Sequence, residues 1–335
     1  MTRIMLAALV AAALSVALGA QQQAQPTETI LSPGPSAARY PRNVDEFDRM
    51  FNDIKNWGRW GKDDQLGAAN LITETTRKRA LALAKNGITV SMAHAPIKEV
   101  APDNPNPFNH TMNRGLTTDT YSVSYHGYAH SHIDALCHFL WKDQTYNGYR
   151  RDEVLSDKGC LKLSVDNLKN GIVTRGVLID LPRLRNVPWL EPGTPVFVED
   201  LEAWEKFAKI KIGPGDAIFL RTGRWPRREK VGPWAVGRNE AGYHVSISPW
   251  LKERGVSFVG SDVAQDVVPS LVDGINLPFH TMIIAALGID ILDNQDLEAV
   301  ADTAAKLKRW EFLLSVAPVP VTGGTGFPAN ALAIF

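Results

Sequence analysis

Residues Tyr121–His138 read YSVSYHGYAHSHIDALCH. Side chains of an extended strand alternate between its two faces, and this stretch separates into two kinds of residue when taken every second position. Val123, Tyr125, Gly127, Ala129, Ser131 and Ile133 fall on one side; Ser124, His126, Tyr128, His130, His132 and Asp134 fall on the other. The expectation is a strand with one largely apolar face and one face of imidazoles ending in a carboxylate. Solvated strand faces carry Thr, Lys, Glu or Ser, whereas imidazole with carboxylate suits a divalent transition metal. Three of the chain's eight histidines lie on that face, and His138 follows one turn later. His132 and Asp134 have Cα atoms about 7 Å apart on a strand and can converge on one ion. His130 lies about 13 Å from Asp134 on a straight strand; it joins if the strand bends, or serves a different ion or the substrate. A catalytic zinc needs more than two protein ligands and keeps one place open. His280 and Asp293, distant in sequence, are the best supply for the remaining places.

Outward from this stretch the pattern alternates between helix and strand, which indicates an α/β protein. Toward the N-terminus, Asn56–Thr73 packs tryptophans, glycines and aspartates into a structured loop. Thr73 caps a helix over Glu74–Asn86 that Gly87 stops, and Ile88–Met92 reads as a strand. Ala101–Thr118 holds prolines and asparagines without periodicity, so an irregular loop is expected, placed to act as a lid. Beyond the stretch, Asp134–Trp141 turns into a short helix. Val173–Leu181 (VTRGVLIDL) is a buried-type strand. Val198–Ile210 is a helix with Val198, Leu201, Trp204 and Phe207 on one stripe. Gly213–Thr222 is a turn and strand, Ser248–Gly255 a helix, and Val256–Gly260 a strand. Phe279-His280 opens an apolar helix, Thr281–Leu287, that Gly288 ends, and Ile289–Asp293 is a strand. Thr322–Pro328 (TGGTGFP) lacks the spacing and lysine of a phosphate-binding loop and reads as a tight turn.

The chain has 335 residues, 44% of them hydrophobic, which fits a folded soluble protein. Its 36 basic and 36 acidic residues balance, leaving no electrostatic footprint for nucleic acid or an anionic membrane. A small neutral or weakly charged substrate suits it better. Residues 1–20 read as a secretory signal: Arg3, an apolar run over Ile4–Leu18, then the small-x-small pattern Ala17-Leu18-Gly19. A secreted, periplasmic protein is expected, with a disordered lead-in over 21–43 and one folded domain over 44–335. The two cysteines, Cys137 and Cys160, can pair in an exported protein, but Cys137 sits within the ligand-rich stretch and a buried free thiol is preferred.

His132-Ile133-Asp134-Ala135-Leu136-Cys137-His138 resembles the His-x-Asp-x-x-x-His motif of the metal-dependent cyclase family of hydrolases, which includes bacterial kynurenine formamidase and isatin hydrolase. Trp57–Thr73, Arg175–Leu181, Gly215–Gly223, Val256–Asp266, His280–Leu297 and the closing Gly-Thr-Gly-x-Pro are similar to that family's segments, in order. The resemblance implies an α/β fold with a mixed, barrel-like β-sheet and surrounding helices, of the swivelling β/β/α type, and a homo-oligomer. It implies His132 and Asp134 as metal ligands, His138 as the catalytic acid/base, His280 as a ligand of a second metal, and Asp293 where the family has a glutamate. Trp57 or Trp60 would stand near the substrate. The short formamidases begin the motif with another histidine, where this chain has Tyr128; either a ligand is lost or His130 or His126 takes its place by local bending. Tyr128 and His126 are also candidates for substrate contact.

The implied chemistry is hydrolysis of a C–N amide bond, in an aryl formamide or a cyclic amide such as isatin. A divalent ion, Zn before Mn, would activate water, and His138 would shuttle the proton. The alternatives are a lactone hydrolase and an exported binder of a small molecule or metal that keeps the fold without turnover.

Overall fold

The computed structural model describes residues Tyr40–Phe335. The expected secretory signal and most of the expected lead-in lie outside the described residues. Tyr40 packs edge-on against His244, with ring centroids 4.7 Å apart. Asn43 then caps the helix Val44–Ile54 by accepting from the Glu46 amide.

Nine strands build the central sheet: β1 (Thr89–Ser91), β2 (His132–Asp134), β3 (Ile172–Asp180), β4 (Ala217–Arg221), β5 (Phe258–Ser261), β6 (Asp290–Asp293), β7 (Glu311–Val316), β8 (Gly326–Pro328) and β9 (Leu332–Ile334). Their spatial order is β1-β9-β7-β3-β4-β5-β6-β2-β8, and the sheet curls into a half-barrel with helices around it. The inner strands β3, β4, β5 and β6 run parallel. Parallel neighbours need crossovers, supplied by the helices Val198–Ala208, Ser248–Arg254 and the apolar run ending at Leu287. Strands β5 and β6 are buried throughout, as a sheet covered on both faces requires. On the Val198–Ala208 helix, Leu201 and Trp204 face the core, and the Trp204 indole donates to the Leu178 carbonyl at 2.6 Å.

Flanking the parallel centre, the outer pairs are antiparallel, and β2 lies between β6 and β8. That placement fixes the site: His132 pairs with Asp293, and Asp134 pairs with Ile291 on one side and Gly326 on the other. Gly326 is required there, because a Cβ would lie 2.1 Å from the Ile133 carbonyl oxygen. The closing Gly-rich segment is therefore partly strand, not only a turn.

Several local expectations change. Alternation over Tyr121–Asp134 is interrupted: Asp119–Ser122 and His132–Asp134 are extended, but His126–Ala129 turns. Two contacts pin the turn: Arg224 donates to the Tyr128 carbonyl, and the Asn294 amide donates to the Gly127 carbonyl. The helix expected over Asp134–Trp141 is a series of turns. The expected irregular loop contains a strand, Asn109–Met112, paired with Asp119–Ser122 as an exposed hairpin. Asp103 anchors the start of that segment through Arg224 and Arg228. The helix at Glu74 ends at Leu81, and the apolar helix Thr281–Leu287 is a π-helix, buried at every position and closed by Gly288 at φ 67°. Cys137 and Cys160 form a disulfide, correcting the free-thiol preference. The short hairpin Leu155–Ser156/Gly159–Cys160 packs against the closing Gly-rich segment, where Cys160 N donates to Gly323 O, and sets the two Cα atoms 6.4 Å apart.

Candidate metal centre

Strands β2 and β6 carry three carboxylate or imidazole groups to one place, and the interrupted stretch before β2 adds a fourth. Nε2 of His132 lies 3.3 Å from Asp134 Oδ1 and 3.9 Å from Asp293 Oδ2. Because Tyr125–His130 does not stay extended, His126 folds back over the strand. Its Nδ1 stands 2.8 Å from Asp134 Oδ1, while its Nε2 meets the Thr325 hydroxyl at 2.8 Å. His280 enters from the turn before the π-helix, with Nε2 3.4 Å from Asp293 Oδ2. Two triplets result, His126–His132–Asp134 and Asp134–His280–Asp293, each with ligand atoms within 4.8 Å of one another. Asp134 belongs to both.

Neighbouring groups hold these ligands in place. His132 Nδ1 faces the His130 carbonyl at 2.7 Å, which turns Nε2 toward the cluster. His280 Nδ1 faces Asp266 at 2.5 Å, and Asp266 also accepts the backbone amides of Phe279 and His280. Asp293 Oδ1 accepts from Gln265 at 2.8 Å. Partners on the remote imidazole nitrogen fix the tautomer and aim a metal-binding histidine. By contrast, His126 Nδ1 and Asp134 Oδ1 are buried and make no hydrogen bond despite their proximity. An imidazole nitrogen and a carboxylate oxygen, both buried and close together without a well-aligned hydrogen bond, fit a shared cation.

Burial opposes charge on His132, but Asp134 and then Asp293 outweigh it and raise the imidazole to about 9. His280 is likewise held well above its usual value by Asp266 and Asp293, against the penalty of burial. For Asp134 burial works upward, yet His132 and His138 pull it well below the ordinary carboxylate range. Burial dominates at His138 and pushes it down to about 4 despite Asp134.

His138 Nε2 stands 3.8 Å from Asp134 Oδ2, and its ring stacks on His126 at 3.8 Å with planes 8° apart. Phe139 covers this corner, 5.1 Å from His138 and 5.0 Å from His280. His130 joins neither triplet: its Nε2 approaches the Asn106 carbonyl at 3.5 Å. The Tyr128 ring packs at Gly237, and burial with Glu240 beside it pushes the phenol up to about 12. Trp57 donates to the Ala285 carbonyl and packs edge-on against Phe51; Trp60 lies under the Arg59 guanidinium. These tryptophan contacts are with the core and the surface, not with the cluster. Sequence reasoning passed over Asp266, Gln265 and Thr325, which lie far along the chain from the residues they orient and follow no spacing rule.

A family model described as "Putative cyclase" matches residues 53–265. A solved structure described as a novel cyclase is 30% identical, covering 85% of this chain and 99% of its own, with a TM-score of 0.76. Isatin hydrolase A from Ralstonia solanacearum shares the fold at 19% identity, over 78% of this chain and 97% of that one, with a TM-score of 0.52. Isatin hydrolase A from Labrenzia aggregata, bound to benzyl benzoate, gives 19%, 78%, 98% and 0.54 in the same terms. No curated protein matches the sequence. Because the family model spans more than half of the chain and the 30%-identical cyclase structure is matched over almost its whole length, the chain belongs to the cyclase family.

Proposed function

We propose that the protein is an exported metal-dependent hydrolase that opens a C–N amide bond, in an aryl formamide or a cyclic amide such as isatin. The observation that carries this reading is the pair of buried, unpartnered atoms His126 Nδ1 and Asp134 Oδ1, with the neutral imidazole of His138 beside them. His126, His132 and Asp134 would hold one ion, and His280 and Asp293 would hold a second or complete the shell of the first. A divalent ion, Zn²⁺ before Mn²⁺, supplies Lewis acidity toward the carbonyl oxygen and makes a water more acidic.

The chain's own groups do the rest. His138, pushed down to about 4, is unprotonated near neutral pH, so Nε2 accepts a proton from the attacking water and returns it to the departing nitrogen. Asp134 Oδ2, 3.8 Å away, stabilises the imidazolium formed in between. Phe139 provides an apolar wall against which a flat substrate lies. The products are a carboxylate and an amine. Self-association is part of the same proposal.

Metal-loaded protein assayed on N-formylkynurenine, isatin and a simple lactone tests it. Turnover of an amide substrate that His138→Ala removes supports the proposal. Metal retained without turnover of any of the three favours a binder that keeps the fold, a reading that Tyr128 in the formamidase histidine position also supports.

A further inference from the structure

A cavity of about 370 Å³ lies beside the N-terminal end of β2, with His130 and Ser131 in its lining. Phe108, Val123, Pro96 and Pro328 contribute apolar walls, and the polar lining is His94, His130, Ser131 and the hydrogen-bonded pair Ser91–Asn330. Its lining contains no Asp, Glu, Lys or Arg, and none of the triplet residues. His94 is stacked on Trp225 at 3.8 Å, and burial pushes its imidazole down, so this wall is uncharged. Small-molecule sites range upward from about 300 Å³ and combine apolar walls with a few polar groups. The site is open to solvent on one side and offers a charged ligand no counter-charge; a neutral planar one gains ring contacts with Phe108 and the imidazoles.

The cavity wall also supports the metal centre. Ser131, the residue before β2, lines the cavity, and His132, the first residue of β2, belongs to the cluster. The carbonyl that orients His132 belongs to His130, a wall residue. Ser131 donates to the carbonyl of Asn294, the residue after Asp293, and accepts the His94 amide.

We propose that this cavity is a second binding site, for a small neutral planar aromatic molecule, and that its occupant stiffens the two strands that carry His132 and Asp293. The first part stands on the cavity alone; the second rests on the metal-site reading above.

Indole serves as the probe, titrated calorimetrically into metal-loaded and metal-free protein without any turnover assay. Saturable binding is expected in both forms. Val123→Trp fills the cavity and Phe108→Ala removes a wall; each should weaken binding about tenfold or more, and because one adds and the other removes volume, a shared loss does not come from one kind of distortion. Failure to bind, or binding that survives both substitutions and disappears with Phe139→Ala, overturns the second site. In the metal-loaded protein, saturating indole should slow stripping of the ion by a chelator about twofold or more. An unchanged stripping rate with indole demonstrably bound overturns the link to the metal strands and leaves the hydrolase reading untouched.

Discussion

In the metal-free protein, His132 holds a proton at neutral pH, raised to about 9 by Asp134 and Asp293 against burial, and Asp266 and Asp293 likewise hold His280 well above its usual value against burial. An ion needs the lone pair on each Nε2, so binding must expel both protons. At pH 7, removing the His132 proton costs on the order of 3 kcal/mol. Each expelled proton steepens the apparent affinity by about tenfold per pH unit, so the His132 proton alone gives about tenfold per unit between pH 6 and 8, and a proton lost from His280 adds to that slope. The sign is fixed: a folded pKa above the unfolded one means tighter ion binding as pH rises toward 9. For the same reason, the stability that His132 contributes to the metal-free protein is full below its unfolded pKa of about 6.5 and is lost as pH rises through about 9. Calorimetric titration with Zn²⁺ in two buffers of different ionisation enthalpy counts the released protons directly. At least about one per ion is expected, from His132, with His280 adding to it; fewer than one, or an affinity flat from pH 6 to 8, refutes the assignment of these imidazoles as ligands.

Asp266→Asn keeps the shape but weakens the partner of His280 Nδ1, and should loosen metal by about 10–100-fold, measured by competition with a chelator. His138→Ala should retain metal while hydrolysis falls about 10²–10⁴-fold, separating proton transfer from ion binding in one kinetic comparison. Cys137→Ser removes a cross-link spanning 23 residues and should cost about 3 kcal/mol, read from the denaturant midpoint with wild type under reductant as the control. Gly326→Ala drives a Cβ to within 2.1 Å of the Ile133 oxygen and should cost about 1–3 kcal/mol, with lower metal occupancy because β8 flanks β2.

The strands of the parallel centre were legible because burial on both faces leaves continuous β-branched runs such as VTRGVLIDL, and the His-x-Asp pair was legible because its spacing is local. What alternation could not show is the turn at His126–Ala129. Arg224 and Asn294 make that turn by bonding backbone carbonyls from 96 and 167 residues away, and it exchanges the expected positions of His126 and His130. Tyr128, read as a lost ligand, sits in the same turn and goes to Gly237. The disulfide and Asp266 were hidden for a similar reason: each depends on a packed loop bringing together residues that no periodicity connects. The hairpin Asn109–Ser122 lacks apolar alternation because it is exposed on both faces, so period-two reasoning had nothing to register.

Elemental analysis of the wild-type protein and Asp134→Ala, each loaded with Zn²⁺ and exhaustively dialysed, bears most directly on the central claim. Wild type should keep at least one ion per chain, and Asp134→Ala, having lost the carboxylate common to both triplets, should keep almost none while remaining folded by circular dichroism. Wild type emptied by dialysis, or equal metal in both proteins, would contradict it.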